Sequence, residues 1–353
     1  MIIAGGSGTR LWPLSTPDFP KHLLKINGEH SSLLQHTYRR ARSLANTVYI
    51  VSEAGHIAHV RQQLPELTDD AFITEPARRG TASCLLAALA HISKYNDADE
   101  PVVFLPADHN IRDKVGFKHT FKQAAKLSKE TDRLVLIGIE PTYPATGFGY
   151  IQKGQLLNEH HYIFTVESFK EKPSFDVAQQ YLNRGNYLWN CGCFVGSVNS
   201  FKTAMKQSAP SLLKGLNTLV DAPPVGYEAA YLALENISID YALIEKVTDL
   251  LVVPATFDWM DLGSYADLAC AVQTDKNGNH CFGQNVILEE VSNSFVQNHT
   301  NTPLAVIGLD NCVVINTQAG IVVTRKDLSQ KVGDVSKRFA AIDKIPIDTH
   351  TES

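Results

Sequence analysis

The residues that could do chemistry begin with Gly5-Gly6-Ser7-Gly8-Thr9-Arg10. Glycines lack a Cβ, so their backbone N–H groups can converge on a phosphate and adopt positive φ values. Arg10 and Lys21 lie just downstream. Each can add charge-assisted bonds to a phosphate worth about 1.5–3 kcal/mol. A dinucleotide fingerprint would need glycine where Leu11 stands, and a P-loop would end in Gly-Lys-Ser/Thr. Read alone, the segment is a glycine turn of open purpose. Asp108, in Leu105-Pro106-Ala107-Asp108-His109, could hold Mg²⁺ beside a nucleotide phosphate or could cap a helix. Asp261, in Trp259-Met260-Asp261-Leu262-Gly263-Ser264, offers the same two readings. Phe169-Lys170-Glu171-Lys172-Pro173 places charges at a strand end, which solvent alone could explain. Trp189-Asn190-Cys191-Gly192-Cys193-Phe194 offers an amide among small residues, which could equally satisfy buried backbone groups.

The elements that must position these residues follow from periodicity. Strands are expected at Met1–Ala4, Val48–Val51, Ala71–Thr74, Val102–Leu105 and Leu134–Gly138. Helices are expected at Leu33–Leu44, Ala54–Leu64, Gly80–Tyr95 and Val115–Lys129. This alternation predicts an α/β fold: a Rossmann-like mixed, mostly parallel sheet with helices on both faces. Ligands of such sheets sit at the carboxyl ends of the strands. Gly5, Glu75 and Asp108 all follow directly on predicted strands. Past a turn-rich Asp275–Asn279, short β-branched runs at Val286–Leu288, Leu304–Ile307, Val313–Ile315 and Ile321–Val323 predict a small C-terminal β domain. A coiled, left-handed β-helix-like form is one version of it. A helix over Leu328–Ile342 closes the chain. The expected domains are therefore 1–275, catalytic, and 280–353, the small β domain with its terminal helix.

Composition narrows the classes further. The chain has 353 residues, 44% of them apolar and 20% charged, which is ordinary globular usage. The net charge of −5 argues against a binder of long nucleic acids. Six cysteines are too few for a disulfide scaffold, and no CxxC pair points to zinc. The N-terminus lacks the charged and apolar regions of a signal peptide, and no run of 18 apolar residues exists. The expectation is a cytoplasmic protein with no membrane and no nucleic-acid partner.

Taken together, the motifs resemble the sugar-1-phosphate nucleotidyltransferase family. Gly5 to Ser15 with Pro20-Lys21 is similar to that family's signature. The mannose-1-phosphate guanylyltransferase branch is resembled by Glu75-Pro76 with Arg79 and Thr81-Ala82, and by Leu105 to His109. So is it by Thr146 to Ile151, Phe169 to Pro173, Trp189-Asn190-x-Gly192-x-Phe194, Ser238 to Ala242 and Trp259-x-Asp261-Leu262-Gly263-Ser264. Pro303 to Leu309 and Val313 to Thr317 also fit. The chain departs at Arg78-Arg79-Gly80-Thr81-Ala82-Ser83, where the family usually reads Gly-Arg-Asn-Thr-Ala-Pro, and at Cys191 and Cys193, where it usually has Ser and Met.

The resemblance implies transfer of GMP from GTP to mannose 1-phosphate with Mg²⁺ as cofactor, in a homodimer. Arg10, Lys21, Asp108 and Lys172 would be catalytic. Ala4, Gly5, Gly6, Ser7, Gly8, Thr9, Arg10, Glu75, Gly80, Thr81 and Asp108 would bind the nucleotide. Gly149, Glu171, Lys172, Asn190 and Asp240 would bind the sugar phosphate, and Asp108 and Asp261 the metal. A nucleotidyltransferase for another sugar phosphate or nucleotide, or a silent subunit that senses sugar nucleotides, are the alternatives. Retention of both metal carboxylates with Lys21 and Lys172 speaks for catalysis. No general base is needed, because the sugar phosphate is already an anionic nucleophile. The difficulty is bringing it to an anionic triphosphate, so positioning and charge neutralisation must dominate.

Overall fold

The structure, a computed structural model, describes residues 1–6, 8–26, 30–158 and 162–342. Ser7 lies outside them. The chain forms two compact units, Met1–Gly5 with Gln35–Trp259, and Gly6–Leu34 with Met260–Ser353. This grouping differs from a split near residue 275: the glycine segment associates with the C-terminal residues.

The first unit is built on nine strands: β1 (Ile2–Ala4), β2 (Ile50–Glu53), β3 (Phe72–Glu75), β4 (Val102–Pro106), β6 (Val135–Ile139), β7 (Gly149–Asn158), β8 (Ile163–Lys170), β9 (Tyr187–Gly196) and β10 (Leu251–Pro254). A two-residue strand, β5 (His109–Asn110), follows β4. The sheet order is β3-β2-β1-β4-β9-β6-β10-β8-β7. Pairings β1–β2, β1–β4, β2–β3 and β6–β10 are parallel, and β8 and β9 run against the rest. The mixed sheet expected from sequence is present. Strand ends differ from expectation by one or two residues; the second strand begins at Ile50 rather than Val48.

The Gly80–Tyr95 helix matches its predicted limits. Ala82 to Ala90 are all buried. A helix apolar on every side must be enclosed, and this one contributes most of its length to the main core with Phe104, Leu136 and Leu188. The helix opens at Gly80, whose φ of 72° places its backbone in the left-handed region. A Cβ there would come within 2.3 Å of the Ile237 carbonyl oxygen.

The second unit contains β11 (Met260–Asp261), β12 (His280–Phe282), β13 (Val286–Glu289), β14 (Phe295–Asn298), β15 (Leu304–Ile307), β16 (Cys312–Thr317) and β17 (Gly320–Arg325). The chain coils between two parallel stacks, with His280 beside Phe295, Phe295 beside Val313, and Val286 beside Leu304. Antiparallel β17 covers β16. The expected coiled β region is present. Its terminal helix starts later than expected: Lys326–Lys331 is 3₁₀, and the α-helix spans Val332–Ile342. Inside the unit, Phe295, Val313, Ile315, Val322 and Val332 pack with Leu11, Leu24, Leu33, Leu262, Tyr265 and Leu268. This apolar cluster is why residues 6–34 group with the coil. Among the described residues, no helix is long and apolar enough to cross a membrane.

Candidate active site

Gly6 and Gly8 have φ values of 93° and 57°. A Cβ on Gly8 would fall 2.5 Å from the Lys21 Cβ and 2.9 Å from its backbone N. Glycine is required there because the Lys21–Leu23 turn lies directly against it. The Leu11 N–H donates to the Gly8 carbonyl at 2.9 Å, and the Ser15 hydroxyl donates to the same oxygen. Thr9–Leu11 forms a 3₁₀ turn. It presents Arg10, whose side chain runs past Gly263 and Gly333; their Cβ positions would lie 3.3 Å from its Nη1 and 2.8 Å from its Cγ. Lys21 is 5% exposed. Its Nζ donates to Asp261 Oδ1 at 2.8 Å.

In the first unit, Ala4 is buried at the end of β1, and Gly5 follows it. Glu75 ends β3 at 5% exposure. The Tyr231 hydroxyl donates to Glu75 Oε1 at 2.5 Å, and the Cβ position of Gly5 lies 3.9 Å from Oε2. Burial pushes the Glu75 carboxyl up, partly offset by the bond from Tyr231. Glu75 therefore does not point to solvent. Thr81 Oγ1 accepts from the Ile239 N–H at 2.9 Å, tying the start of the Gly80 helix to the Ile239–Ala242 turn that carries Asp240. Asp108 is half-buried between β4 and β5.

The five residues expected around a sugar phosphate do come together. Asn190 Nδ2 donates to Asp240 Oδ1 at 2.9 Å, and its own Oδ1 accepts from the Gly192 N–H at 3.1 Å. Lys172 Nζ donates to Glu171 Oε1 at 2.6 Å. Among the described residues, the buried Glu171 Oε2 has no hydrogen-bond partner. A Cβ on Gly149 would stand 2.5 Å from that atom, so only glycine leaves the room. Burial and the nearby Glu171 raise the Asp240 carboxyl to about 6. Burial pulls the Lys172 ammonium down, but its bond to Glu171 and that carboxylate's charge outweigh burial and leave it raised. The cluster thus holds a lysine beside buried Glu171 and half-buried Asp240, with one acceptor oxygen still open. That set suits hydroxyls close to an anionic phosphate.

Tyr231 has no signal in the sequence. It reaches Glu75 across 156 residues, and no local spacing announces the pair.

The nucleotidyl transferase family model matches residues 1–278. The chain belongs to the nucleotidyl transferase family. Relatives of this transferase include a mannose-1-phosphate guanylyltransferase of Escherichia coli, 33% identical over 95% of this chain and 74% of the relative. Another, of Salmonella montevideo, is 33% identical over all of this chain and 76% of the relative. A solved structure from Thermus thermophilus, described as a mannose-1-phosphate geranyltransferase, superimposes with a TM-score of 0.85 at 29% identity. It covers 96% of this chain and 98% of its own.

The transferase's carboxylates suit a divalent cation. Asp108 and Asp261 supply hard carboxylate oxygens, and Asp261 already accepts from an ammonium. Among the described residues, no three of His, Cys, Asp and Glu cluster into a metal cage. Mg²⁺ needs none: it is commonly held by one or two carboxylates plus substrate phosphates. The residues fit.

Proposed function

We propose that this transferase moves GMP from GTP to mannose 1-phosphate, releasing pyrophosphate and giving GDP-mannose. The similarity over nearly the whole chain to relatives named for that activity carries the reading. Lys172 bonded to buried Glu171, with half-buried Asp240 near by, supports a sugar-phosphate pocket, and buried Glu75 supports a guanine contact.

The chemistry is an in-line displacement. A phosphate oxygen of the sugar phosphate attacks the α-phosphorus of GTP, and the bond to the α,β-bridging oxygen breaks. Pyrophosphate leaves with the electron pair. No residue need form a covalent bond. Lys172 would hold the sugar phosphate in line, and Glu171, Asn190, Asp240 and Gly149 would shape and bond the sugar. Gly5, Gly6, Gly8 and Thr9 would cradle the triphosphate, with Arg10 and Lys21 stabilising the leaving pyrophosphate. Ala4, Glu75, Gly80 and Thr81 would border the nucleoside. Asp108 and Asp261 would hold Mg²⁺, which when bound neutralises charge on the transferring phosphates. A catalytic region over 1–275, a homodimer and a cytoplasmic location complete the reading. Purified protein with Mg²⁺, each nucleoside triphosphate and a panel of sugar 1-phosphates tests it by pyrophosphate release. Turnover confined to a pair other than GTP and mannose 1-phosphate would overturn it.

A further inference from the structure

We infer that Thr37 and Arg40, on the Leu33–Arg42 helix, are positioning residues that hold the backbone on both sides of Asp108. The inference rests on reading Asp108 as a ligand of Mg²⁺.

Thr37 Oγ1 donates to the Ala107 carbonyl at 3.3 Å. Arg40 Nη2 donates to the His109 carbonyl at 3.0 Å and to Thr37 Oγ1 at 2.7 Å. Arg40 Nη1 reaches the Ile111 carbonyl at 3.4 Å. Ala107 and His109 are the immediate neighbours of Asp108, so the residue is gripped before and after.

The cost of this arrangement argues that it has a purpose. Thr37 is 1% exposed and Arg40 is 5% exposed. Burial lowers the Arg40 guanidinium to about 10. A buried cation is ordinarily paired with a carboxylate. Here the guanidinium donates to neutral carbonyls and a hydroxyl, and among the described residues its Nε has no partner. The charge of Asp258 and the Phe117 ring, whose centroid lies 5.8 Å from the guanidinium carbon, offset part of that cost, and a well-packed apolar side chain would avoid it altogether. What an arginine adds is a rigid fork of donors, able to fix several carbonyls of one turn at once. The site chemistry lies close by: the Cys193 thiol feels the charges of both Arg40 and Asp108. Groups that orient a metal ligand are typically worth 10–100-fold in metal affinity.

The test uses the full chain as Arg40→Met, Arg40→Lys and Thr37→Val, with Asp108→Asn as reference. Mn²⁺ binding with GTP present is read by paramagnetic resonance, alongside the melting temperature and the Mg²⁺ concentration giving half-maximal turnover. Arg40→Met should weaken Mn²⁺ binding about tenfold and raise the Mg²⁺ requirement in step. Thr37→Val should weaken it less, and Arg40→Lys should recover part of the loss. Lower melting temperatures with wild-type Mn²⁺ titrations would mean a merely structural role and overturn the inference. If Arg40→Met fails to fold, Thr37→Val and Arg40→Lys decide it, and wild-type metal binding in both overturns it. Wild-type Mn²⁺ binding by Asp108→Asn would instead remove the Asp108 reading on which the inference stands.

Discussion

Lys21 and Asp261, 240 residues apart in sequence, meet in a 2.8 Å ion pair. The resemblance assigns one to the triphosphate and the other to the metal, yet here they neutralise each other. Their side chains are 6% and 22% exposed, so neither charge is well solvated if the other is lost. Asp261→Asn should therefore lower both turnover and stability. Removing a carboxylate from a cation that stabilises developing charge should cost several kcal/mol of barrier, about 100-fold or more in kcat. The Lys21→Met, Asp261→Asn double variant should be more stable than the two single losses add to, by roughly 0.5–3 kcal/mol. Turnover within a few-fold of wild type at saturating Mg²⁺, or strict additivity in urea unfolding, would remove this account.

The Glu75–Tyr231 contact bears on nucleotide choice. Guanine presents N1–H and a 2-amino group side by side, and a carboxylate offers two acceptor oxygens at matching spacing. Adenine offers an unprotonated N1 instead. Tyr231 bonds Oε1, the Cys84 thiol also bonds the carboxyl, and Oε2 lies on the Gly5 side; each oxygen keeps a further lone pair for a base. A bidentate base contact is worth about 1–3 kcal/mol of discrimination. GTP should exceed ATP by about tenfold or more in kcat/KM, Glu75→Ala should erode that ratio, and Tyr231→Phe should erode it less. Equal use of ATP by the wild-type enzyme would end this assignment.

Much of the fold was written in local pattern. The Gly80–Tyr95 helix is an apolar run closed by Gly80 and Asn96, so its limits could be read directly. The β-branched runs near 286, 304, 313 and 321 each became a strand for the same reason. Gly80 itself replaces the family's usual Asn, and both are residues that tolerate the positive φ found there. What could not be read was association across long separations. Nothing local joins Leu11 to Phe295, yet they share one cluster, and that cluster decides where the compact units divide. The polar strand ends were legible as candidate sites, but not Tyr231 behind Glu75 or Arg40 behind Asp108. Such partners act through tertiary contact and leave no spacing rule.

Asp240 makes stability fall with rising pH. Its carboxyl moves from the ordinary 3.8 up to about 6 on folding, through burial and the neighbouring Glu171. Between those values the folded state holds a proton that the unfolded state has released. Raising the pH through that window therefore destabilises the protein, by up to about 3 kcal/mol at roughly 1.4 kcal/mol per unit. Asp240→Asn cannot titrate. The stability of wild type relative to Asp240→Asn should fall from about pH 4 to about pH 7 in denaturant unfolding. A flat difference across that range would refute the shift.

Lys172 should act on one substrate. Its Nζ lies beside Glu171, in the group that also contains Asn190 and Asp240. An ammonium is a point charge, effective only on the anion it touches. Lys172→Ala should raise KM for the sugar phosphate about tenfold and leave KM for GTP within about twofold, since one charge-assisted bond is worth about 1.5–3 kcal/mol. The reverse pattern in separate titrations would move Lys172 to the nucleotide.

The C-terminal coil should be required by the glycine segment. Phe295 is fully buried and shares its cluster with Leu11, Leu24 and Leu33, which flank Arg10 and Lys21 in sequence. Trp12 closes on Gly320, where a Cβ would meet its ring at 2.7 Å, and its ring centroid stands 5.0 Å from that of Phe339. The Tyr265 hydroxyl donates to the Leu11 carbonyl at 2.8 Å. The turn presenting Arg10 thus draws its packing from residues beyond 275, although it lies near the start of the chain. Phe295→Ala should cost about 3–5 kcal/mol, as truncating a large buried aromatic usually does. A chain ending near 275 should expose Leu11, Leu24 and Leu262 together and lose ordered placement of Arg10 and Lys21. Such a truncation should aggregate or turn over at a small fraction of the wild-type rate. A truncated chain that stays monodisperse and fully active would show that the glycine segment holds its shape without the coil.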